Sequence, residues 1–472
     1  MAVLGYRTCS FTGGNMMHDR FDSISPIDYR YWDEEVAHYL SENGFTRYKL
    51  LVELALVKVL HYRGMCSETI VKEVEAACAQ VTTAEVYKEE DRTRHDIRAL
   101  VNCIRKRVSD EAKPFVHMTA TSNDIIDTAN ADRFRDVVKK VLVPSLVKLE
   151  AALISATFRE AETVQVGRTH GQHAIPITFG FALAEYVSRL GGSIEALKML
   201  AAELVGKFSG AVGAYNASSL IFNDPEEFEA EVLDELGLAP AEYSTQVVQP
   251  EAMTRLLCEA TITAGILANL ADDMRNLQRT EIGEVGEEFE AAQVGSSTMP
   301  QKRNPINFEN AKSCWKIVAP RIVTVFMDQL SEHQRDMTNG ASIRTHTEVI
   351  AYVVHTAKRL TRTMRKLVVD RENLERNLAI QKGMVLAEPL YIILAALGHP
   401  DAHEKVRALT FQAQGEKKQF EEVVVNDFEM QGYLEKMTPS QRQILSNPSL
   451  YAGIATKKAK AIAERWKQKL GL

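Results

Sequence analysis

The sequence predicts an all-α protein, an elongated bundle of about five long helices flanked by two smaller helical domains. Three observations carry this. Glycine and proline are sparse, 25 and 14 in 472 residues, so the chain is rarely punctuated. Apolar residues recur at helical spacing, and alternating, strand-like patterns are few. Between residues 118 and 365 the periodic runs far exceed the usual ~11–12 residues of a helix. A chain of this length also exceeds one simple core. Residues 1–117 read as an N-terminal helical domain that holds part of the site. Residues 118–365 read as the long-helix bundle and oligomer core, and residues 366–472 as a C-terminal helical domain.

Taken in order, residues 1–17 form a short extension with no long apolar segment ahead of a cleavage site. Ser25-Pro26-Ile27-Asp28-Tyr29-Arg30-Tyr31 is a polar turn. An amphipathic helix follows through Tyr48, Leu51, Val52, Leu54, Val57 and Leu60. The charged run 88–96 reads as a solvated helix face, or, through Arg94-His95-Asp96, as a grip on an anion that also orients the imidazole. Thr121, Ser122, Asn123 and Asp124 read equally as a helix N-cap and as an anion site at a helix start.

The helix that begins near Asp127 buries Phe134, Val137, Val138, Val141, Leu142, Leu149 and Leu153, and Pro144 should bend it. Residues 166–176 are expected to be irregular, with His170 off any apolar face; a structural and a functional histidine both fit. Gly171 permits close backbone approach. Helical pattern resumes from Phe181 to Leu197, breaks near Gly210 and Gly213, and leaves a polar loop at Tyr243-Ser244-Thr245-Gln246. A very long helix is expected from about Glu251 to Gly283. Two more carry Trp315, Ile322, Phe326 and Leu330, then Val349, Val353, Ala357, Leu360 and Met364. Between them Gly295-Ser296-Ser297-Thr298-Met299-Pro300-Gln301-Lys302-Arg303-Asn304-Pro305 is kept out of regular helix by its glycine, serine pair and prolines. It sets a hydroxyl, a cation and an amide on a helical scaffold, and loops of that kind carry function. The apolar faces are too extensive for one subunit to cover, so the bundle should oligomerise with closed symmetry.

The bulk numbers narrow the function. A net charge of −7 argues against nucleic-acid binding through general positive charge. No apolar run reaches membrane-spanning length, and there is no P-loop or GxGxxG turn. The six scattered cysteines lack metal-ligand spacing and read as reduced thiols of a cytoplasmic protein.

Taken together, Thr121-Ser122, Thr169-His170 and 295–305 resemble the fumarase/aspartase superfamily, whose signature loop GSSTMPQKRNP is similar to. Within it the chain looks most like the adenylosuccinate lyase family. The SPIDYRY piece at 25–31, the RHD triplet at 94–96, the RTHGQ segment at 168–172 and Gln334-Arg335-Asp336-Met337 with Arg344 carry that likeness. It implies a cytoplasmic homotetramer of long helices with active sites shared between subunits, a succinyl-nucleotide substrate, and no metal or organic cofactor. It also implies β-elimination of fumarate from an N-substituted aspartate. By position in the motifs, Ser296 would be the general base, His170 the general acid and Glu309 its carboxylate partner. Lys302 and Asn304 would hold the carboxylate that gains charge, and Met299 would pack on the ligand. Thr121, Ser122 and Thr169 would bind the other carboxylate, and Gln246 the succinyl or base portion. Arg94, His95 and Asp96 would contact the nucleotide, and Arg30, Tyr31, Arg335 and Arg344 its phosphate.

One departure stands out. Gly340 and Ala341 lie where the family presents hydroxyls to the phosphate. Either the Gly340 N–H and Ser342 substitute, or the substrate is a non-phosphorylated N-substituted aspartate handled by another carbon–nitrogen lyase or epimerase of the superfamily. A third reading is a non-catalytic protein on this scaffold. The joint presence of Ser296, His170, Lys302 and Glu309 argues against it.

Overall fold

The computed structural model describes residues 22–289, 298–299 and 301–472. Ser296, with Gly295, Ser297 and Pro300 of the signature loop, lies outside the described residues.

After a 3-10 turn at Pro26–Asp28 come α1 (Glu34–Leu40), α2 (Glu42–Tyr62), α3 (Glu68–Gln80), α4 (Thr83–Thr93) and α5 (Asp96–Arg105). Together they bury Leu56, Leu60, Ile97, Leu100 and Ile104 in one core. Leu51, expected in the buried stripe of α2, is exposed instead. The bundle follows: α6 (Ser122–Val137) and α7 (Val143–Arg159), then α8 (Phe179–Ala202), the short α9 (Pro225–Asp234), α10 (Glu251–Leu277), α11 (Ile306–Met327) and α12 (His346–Arg365). The disturbance expected at Pro144 takes the form of a π turn, Val138–Leu142, that joins α6 to α7. The wider turn accommodates the missing proline N–H and the crowding of its ring against the preceding turn. The joined run Ser122–Arg159 is long and apolar enough to cross a bilayer, and 67% of its apolar window is buried inside the protein. That is how the core helix of a bundle behaves.

So five long helical runs form the bundle among the described residues, and the all-α expectation holds. One large core of leucine, valine and isoleucine from α6, α7, α8, α10, α11 and α12 unites them. Leu330 falls beyond the end of α11 and is exposed, as are Phe326, Val323 and Met327 of α11 and Ile262 of α10.

The tail runs through α13 (Arg371–Ala379), α14 (Ala387–Ala396), α15 (Ala402–Glu416), α16 (Phe420–Asn426), α17 (Phe428–Lys436) and α18 (Pro439–Ser446). Leu390, Leu394, Phe420 and Met430 centre their own core. The last helix, α19 (Ala455–Leu470), leaves that core and packs on α7 and α8. Its Trp466 lies against Gly191 so closely that a Cβ there would stand 2.4 Å from the indole. Any larger residue at 191 would push α19 off the bundle.

Residues 166–176 are a hairpin, not irregular chain. Strands β1 (Val164–Thr169) and β2 (Gln172–Thr178) pair antiparallel, Thr169 opposite Gln172. The two-residue connection is His170 at φ 54° and Gly171 at φ 73°. Both are left-handed, as the preferred two-residue hairpin turn requires.

Glu150 of α7 is fully buried, and among the described residues neither carboxylate oxygen has a hydrogen-bond partner. Burial pushes its pKa up to about 9. A carboxyl raised in the folded state contributes fully below its unfolded pKa, and the contribution drains away as pH climbs toward the folded value. At most about 1.4 kcal/mol is lost per pH unit across that window. Glu150→Leu is therefore expected to raise the melting temperature, with a gain that widens from pH 5 to pH 8. A gain independent of pH would show that the carboxyl is solvated or paired.

Candidate active site

The RHD triplet sits at a corner between helices, not on a helix face. Arg94 ends α4 in the left-handed conformation and His95 caps α5. The His95 Nδ1 accepts the Arg98 N–H at 3.3 Å. Its Nε2 faces the Ser122 hydroxyl at 3.4 Å. Asp96 turns back to accept the Ile97 N–H at 2.7 Å.

Ser122 opens α6, and Thr121 is its N-cap. Beneath them Asp124 is fully buried; it accepts the Thr121 N–H at 2.7 Å and the Gly210 N–H at 3.2 Å. It also accepts the ammonium of Lys207, itself fully buried. This ion pair fixes the start of α6, and removing either partner would leave a buried charge at a cost of about 3–5 kcal/mol. Its carboxylate is committed, so the helix presents outward only the hydroxyls and the remaining N–H groups.

One turn along α6, Asp127 accepts the Val248 N–H at 2.8 Å and so holds the loop that carries Gln246. The Gln246 side-chain oxygen accepts from Arg335 at 2.9 Å, and the Gln246 backbone N–H donates to the Gln334 carbonyl at 3.3 Å. Arg344 is exposed, 3.8 Å from Glu42. His95, Ser122, Gln246, Arg335 and Arg344 are therefore gathered around α2, α5 and α6 within one chain. Neither group proposed as a substitute hydroxyl or amide is free there. Ser342 donates to Asp328 and to the Asn339 carbonyl, and the Gly340 N–H donates to the Met337 carbonyl at 3.1 Å. Asp328 also binds His346 at 2.9 Å, which fastens both ends of the 328–346 segment.

Arg30 and Tyr31 lie further along α12. The Tyr31 ring packs edge-on against His355 at 4.9 Å and near Tyr352 at 5.5 Å, and its hydroxyl is 3.5 Å from the Asn310 amide. Burial, helped by Arg359 and Arg362, pulls the His355 pKa down to about 4. A neutral imidazole therefore backs Tyr31 at physiological pH.

His170 and Thr169 are exposed at the hairpin tip rather than at the end of a bundle helix. The hairpin is anchored by Glu284, which is fully buried. Glu284 accepts from Arg168 at 3.0 and 2.5 Å, from Gln165 at 2.7 Å and from Asn377 at 2.8 Å. Three residues on, Glu287 accepts the Asn307 and Phe308 N–H groups at 2.9 and 3.0 Å and so fixes the start of α11. Lys302, Asn304 and Glu309 ride on that start, and Lys302 and Glu309 are exposed. Met299 is 41% exposed. Among the described residues no hydrogen bond or ion pair joins His170 to Glu309, and neither side chain has a partner of its own. The short segment 284–287 thus positions both pieces without bringing their reactive groups into contact in one chain.

Glu284, Glu287, Asp124, Asp127 and Lys207 were not expected from sequence as anchors. The available signal was weak: carboxylates between glycines in Gly283-Glu284-Val285-Gly286-Glu287, just ahead of a polar loop. A cavity in the tail, lined by Phe420, Val424 and Leu445, is mainly apolar and holds none of the candidate residues.

A family model described as lyase matches residues 17–319, and one described as adenylosuccinate lyase C-terminal matches residues 331–442. The chain is 36% identical over 419 residues to adenylosuccinate lyase of Pyrococcus abyssi, covering 87% of this chain and 92% of that one. It is 32% identical over 440 residues to adenylosuccinate lyase of Methanocaldococcus jannaschii, covering 92% and 94%. Among solved structures it is similar to a 3-carboxy-cis,cis-muconate lactonizing enzyme from Pseudomonas putida (TM-score 0.83, 25% identity, 94% of this chain and 99% of that one). It shares its fold with a fumarate lyase from Mesorhizobium (TM-score 0.81, 21% identity, 92% and 98%).

Proposed function

Because the chain belongs to the adenylosuccinate lyase family and is a carbon–nitrogen lyase, we propose that it eliminates fumarate from adenylosuccinate to give AMP. We extend this to the succinylated aminoimidazole carboxamide ribotide of purine biosynthesis. The observation that carries the reading is Arg335 bound to Gln246, on the loop that Asp127 holds one turn along α6 from the Ser122–His95 corner, with Arg344 beside Glu42 of α2. It sets phosphate-binding forks near groups suited to a succinyl carboxylate.

The chemical difficulty is the weak acidity of the carbon next to a carboxylate. In our reading Ser296 removes that proton as an alkoxide. The electron pair moves to form the fumarate double bond as the carbon–nitrogen bond breaks, and His170 protonates the departing nitrogen. Lys302 and Asn304 stabilise the carboxylate as it gains charge, which is usually the largest catalytic term. Thr121, Ser122 and Thr169 hold the other carboxylate. Arg94, His95 and Asp96 contact the nucleotide, Met299 packs on it, and Arg30 and Tyr31 complete the grip on phosphate. Glu309 orients and stabilises the imidazolium of His170.

The exposed, partnerless state of His170 and Glu309 supports sites completed by neighbouring chains. So does the apolar outer face of α10 and α11 at Ile262, Val323, Phe326 and Met327, with exposed Leu330 just beyond α11. We propose a homotetramer on that face, and a three-part chain divided near residues 117 and 365. We also propose a cytoplasmic location, which the free thiols at Cys66, Cys78, Cys103, Cys258 and Cys314 support.

The test mixes purified protein with adenylosuccinate and follows absorbance for AMP and an independent assay for fumarate. Equal release of both is expected. A folded protein that releases neither, yet splits another N-substituted aspartate, would move the substrate to the non-phosphorylated class.

A further inference from the structure

Next to Arg344 two cations are buried, and among the described residues neither has a carboxylate oxygen closer than 4.0 Å. Lys49 of α2 is 4% exposed and Arg133 of α6 is 7% exposed. Both lie over the Phe45 ring, the ammonium at 4.4 Å and the guanidinium at 4.0 Å from its centre. Cation–π contact softens burial but does not neutralise charge. Among the described residues the Lys49 ammonium has no hydrogen-bond acceptor; its nearest carboxylate oxygen, on Glu42, is 4.0 Å away. Arg133 donates through Nε to Asn130 at 2.9 Å, and neither Nη group has an acceptor among the described residues. Glu42 and Asp96 are the carboxylates whose field reaches Lys49, and Arg133 and Arg344 oppose them. Glu42 is shared: it stands 3.8 Å from Arg344 as well.

Buried charges are normally paired. Here burial lowers the pKa of Lys49 and pulls that of Arg133 down to about 10, so the site carries a cost in the free chain. An arriving anion would relieve it. The place also fits one end of the substrate. Arg133 is 11 residues beyond Ser122 on α6, which is roughly 16 Å along the axis. Carboxylates held at the helix start would leave the opposite end of an extended succinyl-nucleotide near Arg133. This is where the chain lacks hydroxyls at Gly340 and Ala341, and where Ser342 is tied to Asp328.

We propose that Lys49 and Arg133 form, with Arg344, a cationic subsite for the phosphate monoester of the nucleotide, in place of the hydroxyls absent at 340 and 341. The inference rests on the nucleotide reading of the site, and it accounts for how that reading survives the departure in the phosphate segment. Lys49 and Arg133 act as specificity residues for phosphorylated over non-phosphorylated ligands.

The experiment titrates the full-length protein calorimetrically with AMP and, separately, with adenosine. Wild type is compared with Lys49→Met, Arg133→Gln and Lys49→Arg, each checked by its melting curve. Lys49→Met replaces a poorly paired buried cation by an apolar side chain, so the fold should hold. The Kd for AMP is expected to rise about 10- to 100-fold in Lys49→Met and Arg133→Gln. The Kd for adenosine should stay put, and Lys49→Arg should recover most of the AMP affinity. An unchanged AMP affinity in both variants, with wild type binding AMP normally, overturns the subsite and leaves the lyase reading intact. An equal loss for AMP and adenosine overturns it too, since the residues would then be structural. A wild type that neither binds AMP nor splits adenylosuccinate overturns both.

Discussion

Ser296→Ala is expected to lower turnover of adenylosuccinate by about 10²–10⁴-fold while AMP binding stays nearly intact. The split follows from the role proposed for the hydroxyl. A serine is a very weak base in water, and it becomes useful only where neighbouring donors and cations stabilise the alkoxide. Lys302 is such a cation six residues further on, and it is exposed where the chain turns into α11. The grip on the nucleotide is proposed to come from elsewhere, from Arg335, Arg344 and the Ser122–His95 corner. Removing the hydroxyl therefore removes the proton acceptor and almost none of the binding surface. In kinetic terms kcat should fall with little change in the dissociation constant of the product. If AMP binding weakened in proportion to turnover, Ser296 would be a ligand-holding group and the base would have to be sought among the other residues of the site.

The long helices were legible because their information is local. Leu256, Leu257, Ala260, Ala264, Leu267 and Ala271 recur at helical spacing, and they are buried in α10 as the spacing requires. The hairpin was not legible. Pro176 stands inside its second strand, a bulge at Gly167 breaks the alternation, and the turn is His-Gly where Asn-Gly would have announced it. The return of α19 to the bundle was hidden for another reason. It depends on Gly191, some 270 positions earlier, leaving room for Trp466, and no local pattern encodes such a fit. Among the candidate residues, sequence identified chemical types and could not say which share a corner. His95 meets Ser122 where the corner between α4 and α5 reaches the start of α6, and Gln246 meets Arg335 where the loop held by Asp127 reaches the 328–346 segment. The anchors Glu284 and Asp124 look like surface charge in a string of letters. Only their complete burial, with donors arriving from distant segments, shows that they hold the site in shape.

His170→Gln should also cost about 10²–10⁴-fold in turnover, because it removes the acid proposed to protonate the leaving nitrogen. Lys302→Met should cost a comparable amount by leaving the growing carboxylate charge unmet. These two inactive proteins offer a sharper test than either alone. The hairpin that carries His170 is fixed by Glu284, and the helix start that carries Lys302 is fixed by Glu287. Both anchors are buried, and no hydrogen bond or ion pair joins the two reactive groups within the described residues of one chain. If each site draws its imidazole and its ammonium from different subunits, co-expressing the variants with distinct tags must rebuild intact sites. In randomly mixed oligomers about one quarter of the sites would then hold both wild-type groups. The doubly tagged fraction should accordingly regain about a quarter of wild-type turnover, with an unchanged KM. If the two groups act from the same chain, every site carries one lesion and the mixed oligomer stays as inactive as its parents. That outcome would falsify the shared site while leaving the assignment of His170 as the acid standing.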